Sequence, residues 1–265
     1  MRWFLDRSSA VEQVPAAGPY RAGVNAAVLV SALLGGAAVG RLAGAAAGRF
    51  APPRGARRRA GLIEWTTAVL LAAVVARFGL GWNTLPPLVA VVSLVTLSAV
   101  DWRSGRLPDA ITLPASAASL AAIVVASIAT HQPSVIVTAM AAAFGYGAVM
   151  WAAHELRPRA LGFGDVKLAP LLGLHIGWTA ATVGDGRLAV VSLLAQALVL
   201  SCLIGLATGL VLGLLRRRGR EHLPYPGQRT AKRPNTRLLD TAFPFGPALA
   251  AGTMIVVLVP EGLLL

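Results

Sequence analysis

The sequence predicts an all-α, polytopic integral membrane protein with about eight transmembrane helices. Three observations predict it. Hydrophobic residues make up 56% of the chain and charged residues 13%, with a mean hydropathy of +0.68; a soluble domain carries about 25% charged residues. Apolar runs close to the ~20 residues that cross a bilayer as a helix recur along the 265 residues. Most of the basic residues fall between those runs.

Taken in order, the expected spans cover 24–47, 62–81, 85–100, 111–130, 133–153, 166–183, 188–215 and 243–260. Residues 1–23 lack the early apolar core of a cleavable signal peptide and read as a poorly ordered tail. Residues 24–265 then form the membrane domain. Its longest link, 216–242, is rich in Arg, Pro and Gly and reads as a basic cytoplasmic loop. No internal repeat is evident, so the inverted halves of many transporters are missing.

The net charge of +13 suggests nucleic acid until the basic residues are mapped. Eighteen of the 24 Lys and Arg fall in or beside four loops. These are the segments between Arg49 and Arg59, Arg103 with Arg106, Arg157 and Arg159 with Lys167, and the segment from Arg216 to Arg237. Arg187 is alone in the three opposite loops. The positive-inside rule places the four basic loops in the cytoplasm. Their partner is then the lipid bilayer rather than nucleic acid. The tail with Arg2, Arg7 and Arg21 falls outside, against the rule at the first span.

Cys202 is the single cysteine, so no disulfide and no cysteine-based zinc site forms within one chain. The histidines His131, His154, His175 and His222 show no metal-ligand spacing. Neither a metal nor a cofactor is expected. His175 reads as a polar packing residue inside the bundle.

The eleven acidic residues carry more information because they are few. Glu64, Asp101, Asp109 and Asp165 fall at the cytoplasmic ends of spans, where an ionisable group faces a bundle interior or a wet cavity. Alone, Asp165 reads as a helix N-cap, with Gly162 and Gly164 making the turn and Lys167 snorkelling to headgroups. Asp109 follows Pro108 and starts a helix well. Asp101 instead ends a helix, where the macrodipole disfavours an anion by about 0.3–1 kcal/mol. As a pair, Asp101 and Asp165 sit at one membrane edge on different helices. Two carboxylates that meet share a proton, so one can act as base toward water while the other polarises a peptide carbonyl.

Two stretches, "AVDWRSGRLPDAIT" and "GFGDVKLAPLLG", resemble the signatures of the prepilin peptidases, membrane aspartic proteases of the Gly-x-Gly-Asp class. In that family the first aspartate precedes a basic stretch ending in an apolar residue, Pro, and Asp or Asn. Asp101 with Leu107, Pro108 and Asp109 matches it. The second aspartate follows two glycines, matched by Gly162, Gly164 and Asp165, with Val166 and Lys167 next. "FPFGPALAAG" from Phe243 resembles the start of the family's last helix, and its Pro247, Ala248 and Leu249 match an element beside the active site. "GLIEWTTAVL" around Glu64 resembles the entry to the second helix. The resemblance covers about residues 60–255.

The resemblance implies that Asp101 and Asp165 are catalytic, supported by Gly162, Gly164, Lys167, Pro108, Pro247, Ala248 and Leu249. It implies cleavage of the short basic leader of type IV prepilins or pseudopilins at the cytoplasmic face of the cell membrane. Many family members also methylate the trimmed pilin with S-adenosylmethionine and bind zinc through two Cys-x-x-Cys pairs in the loop after the first helix. Here that loop is "GRFAPPRGARRRAG", without cysteine, so N-methyltransferase activity is not expected. Two rivals stand beside the peptidase: an inactive membrane subunit of a pilus or secretion assembly, and a proton-coupled transporter. A transporter would favour acids near the membrane midplane.

Overall fold

The computed structural model describes residues 24–50, 57–105, 107–157, 161–183, 187–221 and 245–259. All regular structure among them is helical. The helices are α1 (Ala26–Phe50), α2 (Arg57–Phe78), α3 (Leu85–Ser104), α4 (Asp109–Ala129), α5 (Ser134–Leu156), α6 (Phe163–Val183), α7 (Arg187–Glu221) and α8 (Gly246–Leu258). Each expected span holds one helix. The tail 1–23 and residues 222–242 of the basic loop lie outside the described residues, while α7 runs past the expected span end at 215.

Six helices among the described residues are long and apolar enough to cross a membrane: α1, α2, α3 with the turn before it, α4, α5 and α7. The protein is an all-α, multi-pass membrane protein. The expectation of eight spans is thereby corrected to eight helices, six of them candidate spans. The exceptions have physical reasons. With 13 residues α8 is only about 20 Å long. Asp165, Lys167 and His175 lower the hydropathy of α6.

Burial shows how α6 tolerates them. Its residues from Asp165 to Ala180 are buried except Lys167 and Pro170, which are partly buried. Leu168, Leu171, Leu172, Ile176 and Trp178 on this helix are among the largest fully buried side chains. It is the inner helix of the bundle, so its solvent is protein. His175 has no exposed surface, and its Nε2 lies 3.0 Å from Ser119 Oγ on α4. It is a polar packing residue, as its position suggested. By contrast Leu34, Leu113, Phe144 and Leu206 each expose two thirds or more of their surface. On a membrane protein such faces meet lipid.

Lipid tails are as apolar as leucine, so helices in a bilayer associate through close packing at small residues. Three seams here do so. On α1, a Cβ at Gly36 would lie 2.7 Å from Ala68 Cα, and one at Gly40 would lie 2.7 Å from Glu64 Cα. On α6, Gly173 and Gly177 leave room for Ala139, Ala142 and Ala143 of α5. Between α7 and α8, Gly252 packs on Ala197 and Ser201, and Ser201 Oγ donates to the Ala197 carbonyl. Contacts of Gly246 with Asp101 and of Gly164 with Leu107, and the hydrogen bond from Lys167 to Asp109, gather the end of α3 and the starts of α4, α6 and α8 at one end of the bundle.

Candidate active site

Asp101 occupies the last turn of α3. That helix stops at Gly105, whose φ of 63° is in the left-handed region and whose N–H donates to the Asp101 carbonyl at 2.7 Å. The residue is 6% exposed, low for an aspartate at a helix end. Its carboxylate lies against the backbone of Gly246, the first residue of α8: a Cβ there would stand 2.6 Å from Asp101 Oδ2. Among the described residues that oxygen is buried without a hydrogen-bond partner. A buried unpaired acceptor is costly, and a native structure keeps one for a reason.

Asp165 is set by the first turn of α6. The helix begins at Phe163, and the Asp165 N–H donates to the Gly162 carbonyl at 3.0 Å. The residue is 8% exposed, and its side chain is turned back on Gly162, whose added Cβ would lie 3.5 Å from Oδ2. This corrects the N-cap reading. Asp165 is the third helical residue, reaching back in the manner of a capping box. A Cβ at Gly164 would meet Leu107 at 3.5 Å, an ordinary contact. Packing therefore does not require glycine at 164.

Asp101 lies near enough to Asp165 for its charge to act on that carboxyl. The Leu107–Gly164 contact joins the entry to α4 to the entry to α6. Pro108 adopts an extended conformation (φ −72°, ψ 135°) just ahead of α4. Lys167 does not snorkel. Its Nζ donates to Asp109 at 2.7 and 3.0 Å and lies 5.1 Å from the centre of the Phe163 ring. Asp109 thus both starts α4 and ties it to α6. Glu64 is outside this cluster and pairs with Arg41 at 3.5 Å.

Of the last-helix element, Ala248 and Leu249 are buried and pack α8 inward. Pro247 lines a groove beside Trp102. The residue of this element that touches an aspartate is Gly246, which the sequence reading passed over. Its signal was present, because it directly precedes Pro247 in a stretch already singled out. Among the described residues no three of His, Cys, Asp or Glu come together as a metal site would need. The constellation can do acid–base work on a bond presented at the bundle end, using two carboxylates and no nucleophilic side chain.

A model of the type IV leader peptidase family matches residues 88–210, a segment that holds both aspartates. The chain is similar to curated proteins called prepilin leader peptidase/N-methyltransferase. It is 31% identical to that of Burkholderia pseudomallei over 192 residues, which is 72% of this chain and 52% of the relative. It is 31% identical to that of Aeromonas hydrophila over 198 residues, 74% of this chain and 57% of the relative. For Pseudomonas aeruginosa the figures are 27% over 205 residues, 76% and 58%. The chain spans a little over half the length of these relatives. No solved structure gives a significant match.

Proposed function

We propose that this chain, which belongs to the type IV leader peptidase family, is an aspartic endopeptidase of the membrane. Its substrates are prepilins or prepilin-like proteins, and it removes their short basic leader at the cytoplasmic face. Asp101 and Asp165 are the catalytic pair. One carboxylate takes a proton from water as the water oxygen bonds to the scissile carbonyl carbon. The other, protonated, gives its proton to the carbonyl oxygen. The carboxyl that took the water proton then gives it to the amide nitrogen; as the C–N bond breaks, a hydroxyl of the gem-diol returns its proton to the other carboxylate, so the pair again holds one proton. Gly162 and Gly164 let the substrate backbone approach, and Gly246 sets the position of Asp101. Leu107 and Pro108, the Lys167–Asp109 pair and the packing of Pro247, Ala248 and Leu249 hold the helix ends that carry the site.

The observation that supports this reading best is the burial of both carboxylates at one end of the bundle, with Asp101 Oδ2 unpaired. At that end α6 and α8 complete the set of eight membrane helices as inner elements, and the basic loops face the cytoplasm. The zinc-bound loop of the bifunctional relatives has no counterpart in Gly48–Gly61, which holds neither cysteine nor histidine. Structural zinc supplies much of the folding free energy of such a module, so no zinc-held module is expected here.

The test is reconstitution of the full chain in lipid vesicles with a full-length prepilin and S-adenosylmethionine, followed by intact-mass analysis of the product. The expected product has lost its leader and carries an unmethylated first residue. A product heavier by one methyl group would overturn the statement on methylation. Uncleaved prepilin favours the inactive assembly subunit, and proton flux without cleavage favours the transporter.

A further inference from the structure

We infer that the apolar groove between α2, α3 and α8 seats the membrane-embedded helix that follows the leader in the substrate. The inference rests on the peptidase reading above and deepens it, because it says which surface selects the substrate. The groove has a volume of about 560 Å³, and although neither aspartate lines it, one end is lined by the sequence neighbours of Asp101 and Gly246. Leu62, Trp102 and Pro247 line its upper end; Trp102 follows Asp101 in sequence, and Pro247 follows the Gly246 that touches it. From there it runs down the bundle to Leu94 and Val259. Val259, just past the end of α8, is twelve positions after Pro247, a length of about 18 Å, or roughly three helical turns.

Its lining matches a helix. Apart from Thr66, Ser98 and the Trp102 indole, every lining side chain is apolar. Small residues face the groove from both walls, Ser98 and Ala99 on α3 and Ala250 and Ala251 on α8. Small residues are what let a second helix backbone come close in a bilayer. A substrate helix lying here would deliver the peptide just before it to Asp101. The groove would thus set the cleavage position by where the apolar helix begins.

Two measurements test this on the full chain in vesicles with full-length prepilin. In a Cys202→Ala background, Ser98→Cys should form a disulfide with a cysteine scanned along the apolar helix of the substrate. The native Cys202, exposed on α7, should form none in the parent protein. Ala251→Leu, which fills the groove away from the carboxylates, should raise KM by about tenfold while kcat stays within about twofold. A disulfide through Cys202 in place of Ser98→Cys, or an unchanged KM in Ala251→Leu, would overturn the inference and leave a lipid chain as the occupant. Absence of cleavage by the unmodified chain would strike the peptidase reading instead. The disulfide arm would still decide the groove.

Discussion

A methyl group at Gly246 would stand 2.6 Å from Asp101 Oδ2 and 3.2 Å from its Cγ. Real Cβ atoms do not come that close, so either the carboxylate or the start of α8 must move. Gly246→Ala should therefore lower leader cleavage at least about tenfold, since displacement of a catalytic group by an ångström costs far more than that. Its amount in the membrane should be unchanged. The Lys167–Asp109 pair makes the opposite case. Both side chains are substantially exposed, at 35% and 57%, and exposed ion pairs contribute less than about 1 kcal/mol. Asp109→Asn should keep cleavage within a few-fold of the parent in the same assay. Loss of cleavage in Asp109→Asn with full activity in Gly246→Ala would reverse these two roles.

At the scale of helices, the seam between α5 and α6 holds the inner helix in place. A Cβ at Gly177 would lie 2.6 Å from Ala142 Cβ and 2.8 Å from the Thr138 carbonyl oxygen. Gly177→Leu should destabilise the protein by more than about 2 kcal/mol, read by thermal unfolding in detergent. Gly145→Leu is the control, because nothing lies within 4 Å of its Cβ position. Equal melting of the two variants would show that the seam carries no weight. The eight helices were legible in the sequence from apolar run length, and their ends fell within about four residues except at the start of α2 and the end of α7. The seams were not. Gly36 and Gly40, Gly173 and Gly177, and Gly205 and Gly209 share one spacing, yet Gly209 has nothing within 4 Å. Spacing alone does not say which glycines meet a neighbour.

For the whole molecule, the two aspartates were legible because ionisable groups are rare in this chain, and one of them ends a helix against the macrodipole. What surrounds them was not legible, because it depends on contacts between distant parts of the chain. Lys167 finds Asp109 across 58 residues, and Asp101 finds Gly246 across an even longer interval. Such pairings follow from helix order and facing, which composition and spacing leave open. The charge map does predict sidedness. Cysteine labelling should place 101–110 and 154–165 on the same, cytoplasmic side and 131–134 on the other. Opposite sides for the first two would rule out a shared site. The central claim, that Asp101 and Asp165 act as one unit, is tested most directly by leader cleavage of full-length prepilin by Asp101→Asn and Asp165→Asn. Both variants should accumulate in the membrane as the parent does, and each alone should abolish cleavage, because removing one member of such a unit removes most of the rate. Normal processing by either variant would contradict the account.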